Sequence, residues 1–170
     1  MDEVKDSENR FVRHGKSEAK KDRLSYSDRI GNVAGIVVTI LVTSYFIAHQ
    51  MWATGFFTSK FGLLEMFLFY GLLIYQAVPA TLKALFGRRN FARLFEIFGA
   101  VFGTVVLAWF FVSFPFDFTY FANVLPSFLR FLLQWISNDI IRVLMVIGLI
   151  AAPGMAIYLT ALYMFVRNEL

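Results

Sequence analysis

The chain has 170 residues, of which 58% are hydrophobic and only 16% are charged, an apolar share far above that of an ordinary soluble domain. It contains no cysteine, which excludes a disulfide-linked scaffold, a thiolate metal or iron–sulfur site and a cysteine nucleophile. Its 16 basic and 12 acidic residues give a net charge of +4, and their positions along the chain favour a membrane protein over nucleic-acid binding.

Residues 1–29 form a polar, charged tail ahead of the apolar part of the chain. The tail holds eight basic and seven acidic residues, so it is mixed in charge rather than polybasic. It has few large apolar side chains and cannot bury enough surface to offset the conformational entropy of ordering it. We therefore predict a disordered or loosely helical cytoplasmic tail, followed by a membrane domain over 30–170.

Two apolar stretches follow the tail, at residues 30–49 and 61–82. As a helix the first would be about 30 Å long, which matches the thickness of the hydrocarbon core of a bilayer. The second is interrupted only by Glu65, Gln76 and Pro79 and ends in a basic turn. The pattern predicts the first two membrane spans.

The second half of the chain contains two more spans. The third covers residues 91–114 and stops at Pro115, whose ring and missing N–H end a helix. The remaining apolar stretch would be about 60 Å long as one helix, too long for one crossing. A Ser-Asn-Asp cluster at 137–139 divides it and favours a fourth span over 140–166, preceded by an amphipathic interfacial helix over 126–137. The predicted fold is an all-α integral membrane protein, a four-transmembrane-helix bundle with this extra helix between spans three and four.

The basic residues in the connections predict the orientation in the membrane. Four lie around the turn between spans two and three, whereas the other two connections carry one each, Lys60 and Arg130. Positively charged short loops stay on the cytoplasmic side. We therefore expect this turn, the N-terminus and the C-terminus to be cytoplasmic.

Small residues at a spacing of four mark possible contacts between helices, because close backbone approach drives helix association in lipid. The chain has three such pairs, Gly31 with Gly35, Gly99 with Gly103, and Gly148 with Ala152. Two uses stay open for them: packing within one four-helix bundle, or contact with another subunit.

Ionisable and strongly polar residues within spans are candidate functional residues, since each needs a partner or water in the membrane. His49 ends span one on the side where Glu65 begins span two, so an acid–imidazole pair is one interpretation and two residues wetted by lipid headgroups is the other. Gln76 lies beside Pro79, which frees a backbone carbonyl and can kink the helix. We take His49, Glu65 and Gln76 as a candidate polar membrane site.

Two charge pairs at a spacing of three predict local ion pairs at the start of a helix. Arg93 and Glu96 stand at the start of span three, and Asp139 and Arg142 at the start of span four.

The basic turn also predicts a contact with anionic lipid or with an acidic partner loop, since each basic side chain near such a surface contributes about 1 kcal/mol. The four residues concerned are Lys83, Arg88, Arg89 and Arg93.

No motif of hydrolases, zinc proteases, nucleotide-binding loops or dinucleotide-binding folds is present. With one histidine in or near a span, the chain alone cannot supply two axial histidines to a haem. We expect no catalytic activity, no cofactor and no nucleic-acid partner. The leading hypothesis is a non-catalytic subunit of a larger membrane complex, in contact with lipids and with other integral subunits or copies of itself. The alternative is a small oligomeric channel or proton-coupled carrier using Glu65, His49 and Gln76.

Overall fold

The computed structural model describes residue 10, residues 12–19 and residues 22–169. Its main elements are four long α-helices: α1 (Tyr26–Met51), α2 (Leu63–Phe86), α3 (Arg89–Ser113) and α4 (Asn138–Glu169). Each of these helices is long and apolar enough to cross a bilayer. This confirms the predicted all-helical fold with four helices suited to a multi-pass membrane protein.

Local capping chemistry sets the helix ends. The Ser25 hydroxyl accepts a hydrogen bond from the backbone N–H of Asp28 at 3.2 Å, and the Asp28 carboxylate accepts one from the N–H of Ser25 at 3.3 Å. Gly87 ends α2 with a φ of +63°, the left-handed conformation that glycine adopts without a steric penalty. As a result, α1 begins four residues before the predicted first span, and α2 extends four residues beyond the predicted second span.

Each helix packs on the one before it in the chain: α1 on α2, α2 on α3, and α3 on α4. Among the described residues, α1 and α4 do not pack closely on each other. The arrangement is therefore an open one, with a cleft between the first and the last helix.

The two ends of the bundle differ in chemistry. One end, here called the terminal end, carries residues 12–31, the turn between α2 and α3, and the last turns of α4. The other, here called the aromatic end, holds the 52–62 connection and the 114–137 connection. Its core is a group of buried phenylalanines, in which the Phe56 and Phe116 ring centroids lie 5.5 Å apart and those of Phe110 and Phe116 5.2 Å apart. Offset and edge-to-face rings at these distances stabilise a core beyond their area burial.

The 114–137 connection begins with a polar anchor. The Asp117 carboxylate accepts hydrogen bonds from the Thr119 hydroxyl at 2.7 Å, the Thr119 N–H at 3.0 Å and the Asn138 amide at 3.4 Å. These bonds, the Thr119 hydroxyl first, hold the pKa of Asp117 below its ordinary value of 3.8 because they stabilise the charged carboxylate. The anchor ties the start of the connection to the start of α4.

Later in this connection the chain forms short 3₁₀ helices at Phe118–Val124 and Ser127–Leu132. The second is six residues long and stands where the sequence predicts a helix over 126–137. Its bonds run from residue i to residue i+3, as in Leu129 N–H to Pro126 carbonyl at 2.9 Å, so this segment is tighter and shorter than predicted. The break before the fourth helix is confirmed, since the Ser137 hydroxyl caps α4 by accepting from the N–H of Ile140 at 3.3 Å.

Within the predicted tail, residues 12–19 are helical and are here called the N-terminal segment. Residues 22–25 are not helical, with Arg23 in an isolated β-bridge to Arg88, and 26–29 already belong to α1. The rest of the predicted tail, residues 1–9, 11, 20 and 21, lies outside the described residues.

Candidate functional site: a polar cleft between the first and last helices

The cleft between α1 and α4 contains two adjoining cavities of about 530 and 430 Å³. Both are lined by Asn32, Lys83, Glu96 and Leu159, so they lie side by side. The first cavity lies at the terminal end and is lined by residues from the N-terminal segment and all four helices. The second lies deeper, toward the middle of the bundle.

Lys83 and Glu96 form an ion pair where the two cavities meet. Lys83 is in the last turn of α2 and Glu96 is in the second turn of α3. Each side chain keeps 23% of its surface exposed, so the pair faces the cleft and remains accessible from it.

A second ion pair lines the first cavity. An Arg89 guanidinium nitrogen lies 3.0 Å from a carboxylate oxygen of Asp28, and the two side chains are 29% and 41% exposed. This pair joins the start of α3 to the start of α1. Asn32, one turn further along α1, donates a hydrogen bond to the Asp28 carbonyl at 2.7 Å.

The third ion pair is buried. Arg93 on α3 pairs with Glu18 of the N-terminal segment, with side chains only 6% and 15% exposed. Arg93 also donates to the Asn90 side chain at 3.3 Å, and the Asn90 N–H donates to the Asp22 carboxylate at 2.7 Å. A charged pair removed from water in this way holds its segment in place, since losing one partner leaves the other buried and unpaired.

Other contacts hold the N-terminal region across the terminal end. The Leu24 N–H donates to the Gly87 carbonyl at 2.8 Å, in the turn between α2 and α3. His14 hydrogen-bonds the Tyr158 hydroxyl of α4 at 3.0 Å. Gly15 lies so close to Phe165 that an added Cβ would be 2.3 Å from the ring. The N-terminal segment thus bridges α3 and α4 and covers the terminal end of the first cavity.

These contacts correct the two predicted local ion pairs. Arg93 and Glu96 do not pair with each other, because Glu18 and Lys83 bring opposite charges to them from other parts of the chain. Arg142 places its guanidinium 4.4 Å from the centre of the Phe114 ring, a cation–π contact, instead of pairing with Asp139.

The same contacts change the interpretation of the basic turn. Three of its four basic residues, Lys83, Arg89 and Arg93, point into ion pairs around the cleft. Arg88 is exposed and stands immediately before α3.

The three residues of the predicted polar membrane site lie in different surroundings. Gln76 and Pro79 line the second cavity, together with Tyr75 and Met155. Glu65 lies near the other end of α2, where its carboxylate accepts from the Gly62 N–H at 3.0 Å and caps the helix.

Glu65 and His49 are not brought together as a pair. The second oxygen of Glu65 accepts a hydrogen bond from the Trp109 indole N–H at 3.1 Å. His49 is only 1% exposed and uses both ring nitrogens elsewhere, Nε2 at 3.0 Å from the Phe121 carbonyl and Nδ1 at 2.5 Å from the Thr54 hydroxyl. The imidazole is therefore buried inside the aromatic end and forms no acid–imidazole pair with Glu65.

The small-residue pairs have different neighbours in the fold. Added Cβ atoms would lie 2.8 Å from the Tyr75 ring at Gly99 and 3.6 Å from Leu72 at Gly103, so this pair faces α2. At Gly148 the Cβ would lie 2.8 Å from Leu107 of α3. Its companion Ala152 is partly buried.

By contrast, Gly31 and Gly35 on α1 are exposed, and a Cβ at either would meet no atom of the described chain within 4 Å. Among the described residues no helix packs against this face of α1, although Gly31 also lines the first cavity of the cleft.

Comparison with protein-family models, with curated proteins and with solved structures finds no match to this chain. Within the described ranges, no group of three or more histidine, aspartate or glutamate side chains is placed to hold a metal ion. What the site can do chemically follows from its own residues: a cleft with three cations and three carboxylates around a partly apolar interior.

Sequence reasoning missed Glu18, Asp28 and Asn32 as parts of this site. The available signal was the nearly equal number of carboxylates and basic residues in the tail, seven and eight, since such carboxylates can pair with a basic turn elsewhere in the chain. Two of the described tail carboxylates, Asp28 and Glu18, pair with Arg89 and Arg93 of the basic turn.

Proposed function

We propose that the protein is a non-catalytic integral subunit that packs within a larger membrane complex. The observation that carries this proposal is the unpartnered Gly31–Gly35 pair on α1. The equivalent pair on α3 is used inside the chain, against α2, and Gly148 is used against α3. A small-residue face left open on a membrane helix allows another helix to approach closely, as association in lipid requires.

The surroundings of α1 support this proposal. Its large apolar side chains are widely exposed, among them Val38, Ile40 and Leu41 at 58%, 58% and 64%. Lipid tails alone can cover such a surface, so exposure by itself does not call for a protein partner. The glycine pair adds the shape that a second helix would fit.

We also propose that the terminal end is cytoplasmic and that the 127–132 segment lies on the opposite membrane surface. The distribution of basic residues supports the first statement. Exposed Phe128, Phe131 and Trp135, at 72%, 61% and 63%, support the second, since aromatic side chains favour the interface.

Co-purification tests the subunit proposal. The tagged full-length chain is extracted in a mild detergent, and the chains recovered with it are identified and quantified. We expect other membrane chains in a fixed ratio. Gly35→Leu should lower their recovery at least about tenfold by blocking close approach, while Gly71→Leu, at another glycine whose Cβ would meet nothing, should not. Wild-type protein recovered as a monodisperse monomer would contradict the proposal.

A second candidate function, a small channel or proton-coupled carrier, is supported by one observation: Gln76 lines a cavity inside the bundle. Flux across liposomes containing the purified chain would favour this candidate if Gln76→Leu reduced it. Glu65→Gln tests the other predicted end of such a pathway, and unchanged flux would remove Glu65 from it.

A further inference from the structure

We propose that the cleft between α1 and α4 binds one zwitterionic glycerophospholipid, with its phosphate at Lys83 and Arg89 and its primary ammonium group at Glu96 and Asp28. The lipid would come from the leaflet at the terminal end. This proposal does not rest on the subunit proposal, although Gly31 belongs both to the lining of the first cavity and to the open face of α1.

The size of the cleft is that of a small-molecule binding site. Such pockets usually measure about 300–1,000 Å³, and the two adjoining cavities, of about 530 and 430 Å³, lie in this range. The sign of the charges and the order of polar and apolar lining, rather than the volume, favour a lipid.

The lining of the cleft changes from charged to apolar along the helices. The first cavity holds the ion pairs, whereas the second is bordered by Pro79, Ala80, Ala100, Met155 and Leu159. A charged head with an apolar chain behind it matches this order.

The arrangement of the charges selects the kind of headgroup. Two cations and two carboxylates, in the pairs Lys83–Glu96 and Arg89–Asp28, are partly exposed. An anionic headgroup would meet as many carboxylates as cations. A zwitterionic one can satisfy both signs, with its phosphate accepting from the cations and its ammonium facing the carboxylates.

A primary ammonium fits better than a quaternary one. Glu96 and Asp28 are hydrogen-bond acceptors, and phosphoethanolamine has three N–H donors to give them, whereas phosphocholine has none. Charge-assisted hydrogen bonds of this kind are roughly twice as strong as neutral ones. The structure thus favours phosphatidylethanolamine over phosphatidylcholine.

The route into the cleft is from the bilayer. The N-terminal segment covers the terminal end of the first cavity and is held there by the buried Arg93–Glu18 pair. The sides of the cleft formed by α1 and α4 do not close on each other in the described chain. A lipid can therefore enter sideways, and a soluble ligand would meet the N-terminal segment first.

The test is lipid binding to the purified, delipidated full-length chain in detergent, measured by native mass spectrometry. Phosphatidylethanolamine, phosphatidylcholine and phosphatidylglycerol with the same acyl chains are titrated separately. We expect one phosphatidylethanolamine per chain, bound at least about tenfold more tightly than either other lipid.

The variant that tests the site is the double substitution Lys83→Met with Glu96→Gln, which leaves the net charge unchanged. It should abolish the preference for phosphatidylethanolamine. The matched control, Lys60→Met with Asp139→Asn, also leaves the net charge unchanged, and it removes two exposed charges at the aromatic end. It should bind phosphatidylethanolamine as the wild type does.

A second variant keeps the ion pairs and fills the apolar part of the cleft, so that the test does not depend on the folding of the first. Ala100→Leu should weaken phosphatidylethanolamine binding at least about tenfold, whereas Ala151→Leu, on the exposed side of α4, should not. Equal affinity for the three lipids, or wild-type binding in both cleft variants, would overturn the proposal. So would a protein helix from another chain cross-linked to Lys83.

Discussion

The surroundings of the His49 side chain could not be predicted from the sequence. Its position at the end of a span predicts an interface residue or a partner for Glu65. In the structure it is buried among aromatic rings, and both ring nitrogens are hydrogen-bonded. Since the Phe121 carbonyl can only accept, Nε2 must carry a proton. The imidazole thereby links the end of α1 to both connections of the aromatic end.

We predict that the bond between His49 and Thr54 stabilises the aromatic end directly. His49→Leu and Thr54→Val should each lower the free energy of unfolding by about 1–3 kcal/mol, because each removes the hydrogen bond between the buried imidazole and the partly buried Thr54 hydroxyl. The double variant should cost less than the sum of the two, and a double-mutant cycle based on reversible unfolding in mixed micelles measures the difference. Strictly additive losses would mean that the two side chains do not interact.

Helices that carry the same small-residue motif have different neighbours. The Gly99–Gly103 pair packs on α2, and the Gly31–Gly35 pair faces no helix of the described chain. The motif specifies a face that permits close approach, but the partner depends on how the helix is rotated in the bundle. The fourth helix shows the same dependence on helix rotation. Gly148 faces Leu107 of α3, and the sequence of the fourth helix alone does not identify which helix this glycine faces.

A matched pair of alanine substitutions distinguishes these two uses. Gly99→Ala should destabilise the isolated chain by about 1–3 kcal/mol, because the new Cβ would lie 2.8 Å from the Tyr75 ring, whose hydroxyl is held at 2.8 Å by the Phe95 carbonyl. Gly35→Ala should stabilise it by up to about 1 kcal/mol through helix propensity. Thermal unfolding of the monomer in detergent compares the two variants. A loss of stability in Gly35→Ala would contradict the open space that surrounds Gly35 in this fold.

Across the whole molecule, sequential packing of four helices leaves the first and the last apart at the terminal end. The N-terminal segment bridges α3 and α4 at this end of the cleft, and its Glu18 supplies a carboxylate to the buried Arg93. A region that the sequence predicts to be a disordered or loosely helical tail thus forms part of the wall of a cavity. The net charge of the cleft stays near zero because the tail contributes acidic residues to a basic turn.

Single-cysteine labelling tests the topology, and the chain suits it because it has no cysteine of its own. With a membrane-impermeant thiol reagent, a cysteine replacing Arg130 should be labelled in intact cells, whereas one replacing Arg88 should be labelled only after lysis. The reversed pattern would invert the orientation. Equal labelling in intact cells would contradict α3 as a membrane span, since α3 separates the two positions.

Local chemistry made the four spans predictable, together with the end of the third and the approximate start of the fourth, whereas the start of α1 and the end of α2 each lie four residues outside the predicted spans. Apolar stretches of bilayer length, the proline that follows α3 and the serine that caps α4 act over a few residues, so they are visible in the order of amino acids. A helix was predicted over 126–137 and the structure has a short one at Ser127–Leu132, but its length and its 3₁₀ form were not predicted, because those depend on the contacts of the 114–137 connection.

The partners of the polar groups could not be predicted in the same way. Arg93 lies three residues from Glu96 but pairs with Glu18, 75 residues away in the chain, and His49 is bonded to a carbonyl 72 residues away. A buried charge or imidazole binds the partner that completes its hydrogen bonds at the lowest desolvation cost, and which partner that is depends on how the helices rotate against each other. The same rotation opens the cleft and leaves one glycine face without a neighbour.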